Sequence, residues 1–82
     1  MKYTVSIQSI VPGERWTDVA AFRWNTDAQS YAKAASRNIS QSTLPDRLVR
    51  LSSPDGAAYY RDGGTCEDFG MSLDDLIWET GL

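Results

Sequence analysis

The apolar residues change period along this chain, and that change restricts the fold more than any other feature. From Lys2 to Ile10, Tyr3, Val5 and Ile7 alternate with Lys2, Thr4, Ser6 and Gln8. A period of two sends one set to a buried face and the other to solvent, which is the signature of a strand. Thr17 to Trp24 repeats it, with Ala20, Phe22 and Trp24 on one face and Val19, Ala21 and Arg23 on the other. Between them, Val11-Pro12-Gly13-Glu14 is turn chemistry, because Pro presets φ and Gly accepts a positive φ. From Thr26 the period lengthens. Ala28, Tyr31, Ala32, Ala35 and Ile39 fall on one stripe of a helix over Thr26 to Asn38. Thr26 and Gln29 predict a capping box, and Asp27 and Arg37 sit at the favourable ends of the helix dipole. A stripe this rich in alanine lets the helix lie close against a sheet.

The second half returns to short extended segments. Pro45 bars a helix through the Ser40 to Asp46 loop. Arg47 to Ser52 reads as a third strand, Ser53-Pro54-Asp55-Gly56 as a tight turn, and Ala57 to Arg61 as the returning strand. Gly63-Gly64 breaks the chain. Ser72 with Asp75 caps a short helix whose apolar face is Leu73, Leu76 and Ile77, ending at Gly81. Thr65 with Asp68 is a rival cap that would add a turn over Cys66 to Phe69. The expected fold is α+β: one domain over residues 1–82, with a single antiparallel β-sheet in ββαββα order. One long and one short helix are expected to pack on one face.

Length supports one core, since 82 residues hold a single domain. No apolar run approaches the roughly 20 residues that span a bilayer, so no membrane partner is expected. The alternating opening is unlike a signal peptide, and the single cysteine, Cys66, suits a reducing compartment; a cytoplasmic location follows as an expectation.

Most chemistries lack their residues. There is no histidine, which removes the commonest general base, the triads that need it and most zinc sites. Cys66 lies beside Glu67 and Asp68, whose charges oppose thiolate formation. The carboxylate pairs Glu67-Asp68 and Asp74-Asp75 are adjacent in sequence, so their members point in different directions and do not converge on one substrate atom. Asp62 to Asp68 lacks the acid spacing of a calcium loop, and no phosphate loop occurs. A net charge of −3 opposes direct nucleic-acid binding. Arg47, Arg50 and Arg61 are expected to pair with nearby acids. No enzyme activity, catalytic residue, metal ligand or cofactor is predicted. Protein–protein binding remains, and three tryptophans, Trp16, Trp24 and Trp78, favour it. Trp24, sharing a face with Phe22, is assigned to the core.

Charge then points to a surface. Met1 to Arg61 carries eight Lys or Arg against five acids, a formal +3, whereas Asp62 to Leu82 carries six acids and no base. The six are Asp62, Glu67, Asp68, Asp74, Asp75 and Glu79. Such a segment either steers the molecule to a basic partner or is a solvated face that keeps a small protein soluble.

With its two strands, the Thr26 to Asn38 helix and the Arg47 to Asp62 hairpin around Ser-Pro-Asp-Gly, the outline resembles the small anti-CRISPR proteins that phages and mobile elements use against type I surveillance complexes (Cascade). The resemblance is one of architecture and covers most of the chain. It implies a cofactor-free inhibitor, acting in the bacterial host cytoplasm as a monomer or weak homodimer, that binds Cascade and keeps target DNA off it. Acidic members do so by occupying the basic surface that reads the protospacer-adjacent motif or holds the duplex. No binding residue carries over by position, so the six acids are assigned on charge alone. The alternative is an adaptor or regulatory module that binds through a sheet edge and exposed aromatics. An enzyme accessory subunit is a third reading that the sequence neither supports nor excludes.

Overall fold

A computed structural model describes residues 2–9, 13–40 and 47–79. The elements are β1 (Tyr3–Gln8), β2 (Trp16–Phe22), α1 (Asn25–Ser40), β3 (Val49–Ser53), β4 (Gly56–Arg61), β5 (Gly64–Thr65), α2 (Cys66–Phe69) and α3 (Leu73–Glu79). They build one sheet of order β2-β1-β3-β4-β5 with every neighbouring pair antiparallel. Helix α1 carries the chain from the outermost strand, over β1, to β3. The α+β class and the antiparallel sheet are as expected. The ββαββα order gains two short elements, β5 and α2, where the Thr65–Asp68 cap signalled an extra turn. The predicted turn residues Val11 and Pro12, the loop at residues 41–46 and the end cap at Gly81 lie outside the described residues, as do the side chains of Ile77, Trp78 and Glu79.

The core lies between α1 and one face of the sheet. Val5, Val49, Leu51 and Tyr60 from three strands meet Ala28 and Ala32 of the helix, flanked by Tyr3, Ile7, Ala20, Phe22, Ala35 and Ile39. Both alanines are fully buried, which is the close approach their stripe predicts. Each large aliphatic side chain buried here stabilises the fold by roughly 1.5–3 kcal/mol. Tyr31 is 40% exposed and packs its ring 5.3 Å from that of Phe22, closing the end of the interface.

Two local expectations fail for identifiable reasons. Helix α1 starts at Asn25, with the Ala28 N–H bonded to the Trp24 carbonyl at 3.1 Å, so Thr26 lies inside the first turn and is not its cap. Trp24 is 61% exposed and is not core. Strand β2 ends at Phe22 and the chain bends at Arg23 and Trp24, so strand alternation no longer governs where Trp24 points.

A third departure follows from a β-bulge. Val5 pairs with Ala20 but Ser6 pairs with Asp18, leaving Val19 as the extra residue on β2. One inserted residue reverses facing for everything before it. Trp16 and Asp18 share sequence parity with Ala20 and Phe22, yet they emerge on the opposite face of the sheet.

Candidate functional site

The acid-only segment begins at the β4–β5 turn. Asp62 adopts a left-handed φ of 51°, a region a short Asp side chain tolerates. Gly63 follows with φ 82°, and its N–H donates to the Ser36 hydroxyl of α1 at 2.9 Å. Ser36 is fully buried and itself donates to the Lys33 carbonyl at 2.9 Å. A Cβ on Gly63 would stand 2.8 Å from Nη2 of Arg37, so the turn is pressed onto the last turns of α1. At Gly64 a Cβ would meet the Phe69 ring at 2.9 Å, which holds α2 against β5. The segment is thereby anchored at its start.

Its two carboxylate pairs sit at helix starts. Thr65 caps α2: the Asp68 N–H donates to Thr65 Oγ1 at 3.3 Å, and the Thr65 N–H donates to Asp68 Oδ2 at 2.9 Å, completing a capping box. The Thr65 hydroxyl adds a further bond to Asp68 Oδ2 at 3.1 Å. These bonds, the backbone one first, hold the Asp68 carboxyl below the ordinary carboxylate range, with Lys33 contributing. Gly70 ends α2 in the left-handed conformation at φ 63°. Ser72 caps α3 as predicted, accepting the Asp75 N–H at 3.2 Å. Asp62, Glu67, Asp68, Asp74 and Asp75 are all exposed, whereas Leu76 behind them is fully buried. Glu79 lies in α3. Among the described residues, no three acidic or thiol groups converge to hold a metal ion. The arrangement is a set of exposed carboxylates, of which Asp68 is held by its cap.

Tyr60 connects this end to the core. It is 3% exposed, and burial together with the Asp68 charge pushes its phenol up from the usual value.

The sheet face away from α1 carries a cluster that charge counting missed. Arg50 pairs across the ladders with Ser6 on one side and Tyr59 on the other. Its guanidinium stacks 4.5 Å from the Trp16 ring centroid, and Trp16 lies 5.9 Å from Tyr59. Among the described residues Arg50 therefore finds an aromatic face and not the acid expected for it, and its Nε is buried without a hydrogen bond there. Arg47 donates through Nη1 to the Gln8 carbonyl at 3.2 Å. Ser6, fully buried under this layer, donates to Asp18 at 2.6 Å across the β1–β2 ladder. Half of the cluster was available from the sequence: counting outward from the Ser53-Pro54-Asp55-Gly56 turn puts Arg50 opposite Tyr59. Trp16 was not, because the bulge at Val19 decides its face.

The other end of α1 holds recesses. One of about 350 Å³ is lined by Tyr3, Asn25, Gln29, Asp55, Ala58 and Tyr60 among others. An adjoining one of about 560 Å³ is lined by Tyr3, Arg23, Trp24, Asn25 and Thr26. No helix among the described residues is long and apolar enough to cross a membrane. No family model matches the chain, and neither a curated protein nor a solved structure matches it.

Proposed function

We propose that the chain is a non-enzymatic inhibitor that presents its acidic end to a basic protein surface. The resemblance to small anti-CRISPR proteins makes a type I Cascade complex the partner, and its PAM- or duplex-binding surface the site. The observation that carries this reading is the exposure of Asp62, Glu67, Asp68, Asp74 and Asp75 on a segment whose first turn is anchored to α1 at Gly63. Surfaces built to hold phosphates present Lys and Arg, and carboxylates on a folded segment compete for them without paying the ordering entropy of a flexible tail. Asp68 suits this role because its hydrogen bonds to Thr65 keep it ionised. Glu79 is included on charge alone, and the surface acts in the host cytoplasm.

The strand-addition reading has its own observation, since β2 is an outermost strand and carries Trp16. The bulge at Val19 and the charge of Asp18 interrupt that edge, which is how sheet edges are protected against pairing. The acidic end is therefore preferred.

The test is duplex binding by purified Cascade titrated with the chain. Inhibition should be lost on reversing Glu67 and Asp68, or Asp74 and Asp75, to Lys, with circular dichroism unchanged. Full inhibition by both double variants would refute the acidic-competitor mechanism. Binding should also weaken steeply with salt, because exposed charges are screened over about 10 Å at 0.1 M. Strand addition would respond weakly.

A further inference from the structure

The start of α1 combines a projecting ring with a groove beside it. Trp24 is the most exposed large apolar residue described, and Arg23 places its guanidinium carbon 5.3 Å from the ring centroid, so ring and cation project as one unit. Tyr3 and Asn25 line both recesses, so the two share a wall. The inner recess, at about 350 Å³, falls in the range of sites that enclose ring-sized groups, roughly 300–1,000 Å³. Its lining includes two aromatic residues, Tyr3 and Tyr60, and the polar residues Asp55, Gln29 and Asn25, of which the Asp55 carboxylate is an acceptor. Of these, Tyr60 is 3% exposed.

We propose that this end of α1 is a self-association surface, in which Trp24 of one copy enters the groove of a second copy and the exchange is reciprocal. Ring and groove share one patch, as a two-fold interface requires, where the same surface serves both subunits and closes on itself. Charge favours this occupant. Arg23 stands with Trp24 at one recess and Asp55 lines the other, so a two-fold pair brings each Arg23 to the other copy's Asp55. A buried indole N–H needs an acceptor, which the Asp55 carboxylate supplies. Aromatic residues paired with arginine are the side chains that anchor protein interfaces most strongly.

The acidic turn meets α1 farther along, at Ser36 and Arg37, 11 to 12 residues of helix or about 17 Å from Asn25. Association through Trp24 leaves both acidic ends free. On the inhibitor reading, such a pair has two binding heads and gains avidity wherever a partner offers two sites.

Sedimentation velocity on the full chain over rising concentration tests this directly. The wild type should shift from monomer to dimer mass, and Trp24→Ala should weaken association by roughly thirtyfold. Arg23→Asp and Asp55→Arg should each weaken it by roughly tenfold, and the two together should restore it. Reversing Asp74 and Asp75 to Lys should leave the dimer intact, which separates this surface from the acidic end. Three results would overturn the proposal. They are a wild type that stays monomeric to about 1 mM, a dimer unchanged by Trp24→Ala, and a double reversal no better than either single one.

Discussion

The two ends of α1 are built in contrasting ways. At its C-terminal end, backbone hydrogen bonds and glycine contacts fix a turn and a capping box, and the side chains left outward are carboxylates. At its N-terminal end, β2 passes through the bend at Arg23 and Trp24 into the helix, and the Trp24 indole projects beside recesses lined by Tyr3 and Asn25. The first is a charged surface whose geometry is set before any partner arrives. The second is an apolar projection that gains only when another surface covers it. One small core supports both, and substitutions can separate them.

The largest effect should come from the shared core. Leu51, 4% exposed under α1, is predicted to cost about 2–5 kcal/mol when changed to Ala, measured by urea unfolding. Both ends should fail together, because α1 loses the surface on which it sits. Gly63→Ala should act on one end alone. A side chain at φ 82° is strained by about 1–2 kcal/mol, and the new Cβ also pushes on Arg37. The thermal midpoint should fall and inhibition weaken, with self-association retained.

Thr65→Ala is expected to cost about 1 kcal/mol through the lost cap. It also carries a pH signature. Asp68 has a lowered folded pKa, so its contribution is present above the unfolded carboxyl value, about 4, and is lost as pH falls through the folded value. Acid titration of stability should therefore be steeper below about pH 5 for the wild type than for the variant. Equal slopes would mean that Thr65 does not set that carboxyl. The smallest effect on stability belongs to Trp24→Ala, within about 0.5 kcal/mol by thermal melting, because the ring is largely exposed. A larger loss would return Trp24 to the core and remove it as a docking group.

How legible these features were depends on whether local chemistry or long-range register decides them. The Ala28–Ala32–Ala35 stripe, the alternation of Tyr3, Val5 and Ile7, the Thr65 and Ser72 caps and the turn before Gly56 depend on neighbours within a few residues, and each was readable. Helix α1 does not use Thr26 as its cap because the carbonyl of Trp24 already closes the first turn. Trp16 faces the side opposite to its parity because of a single extra residue at Val19, which no local pattern announces. Arg50 was read as one charge among several, although its register placed an aromatic ring beside it. The acids were legible as a run, but their anchoring was not. That depends on Ser36 and Arg37, more than twenty residues earlier in the chain, meeting Gly63.

The acidic end as a competitor for a DNA-binding surface is the central claim, and co-elution tests it most directly. The purified chain is mixed with type I-C or type I-F Cascade, with and without target duplex bound beforehand. The account predicts co-elution with a Cascade complex that is abolished when duplex is already in place. Co-elution unaffected by bound duplex, or none with either complex, would contradict it.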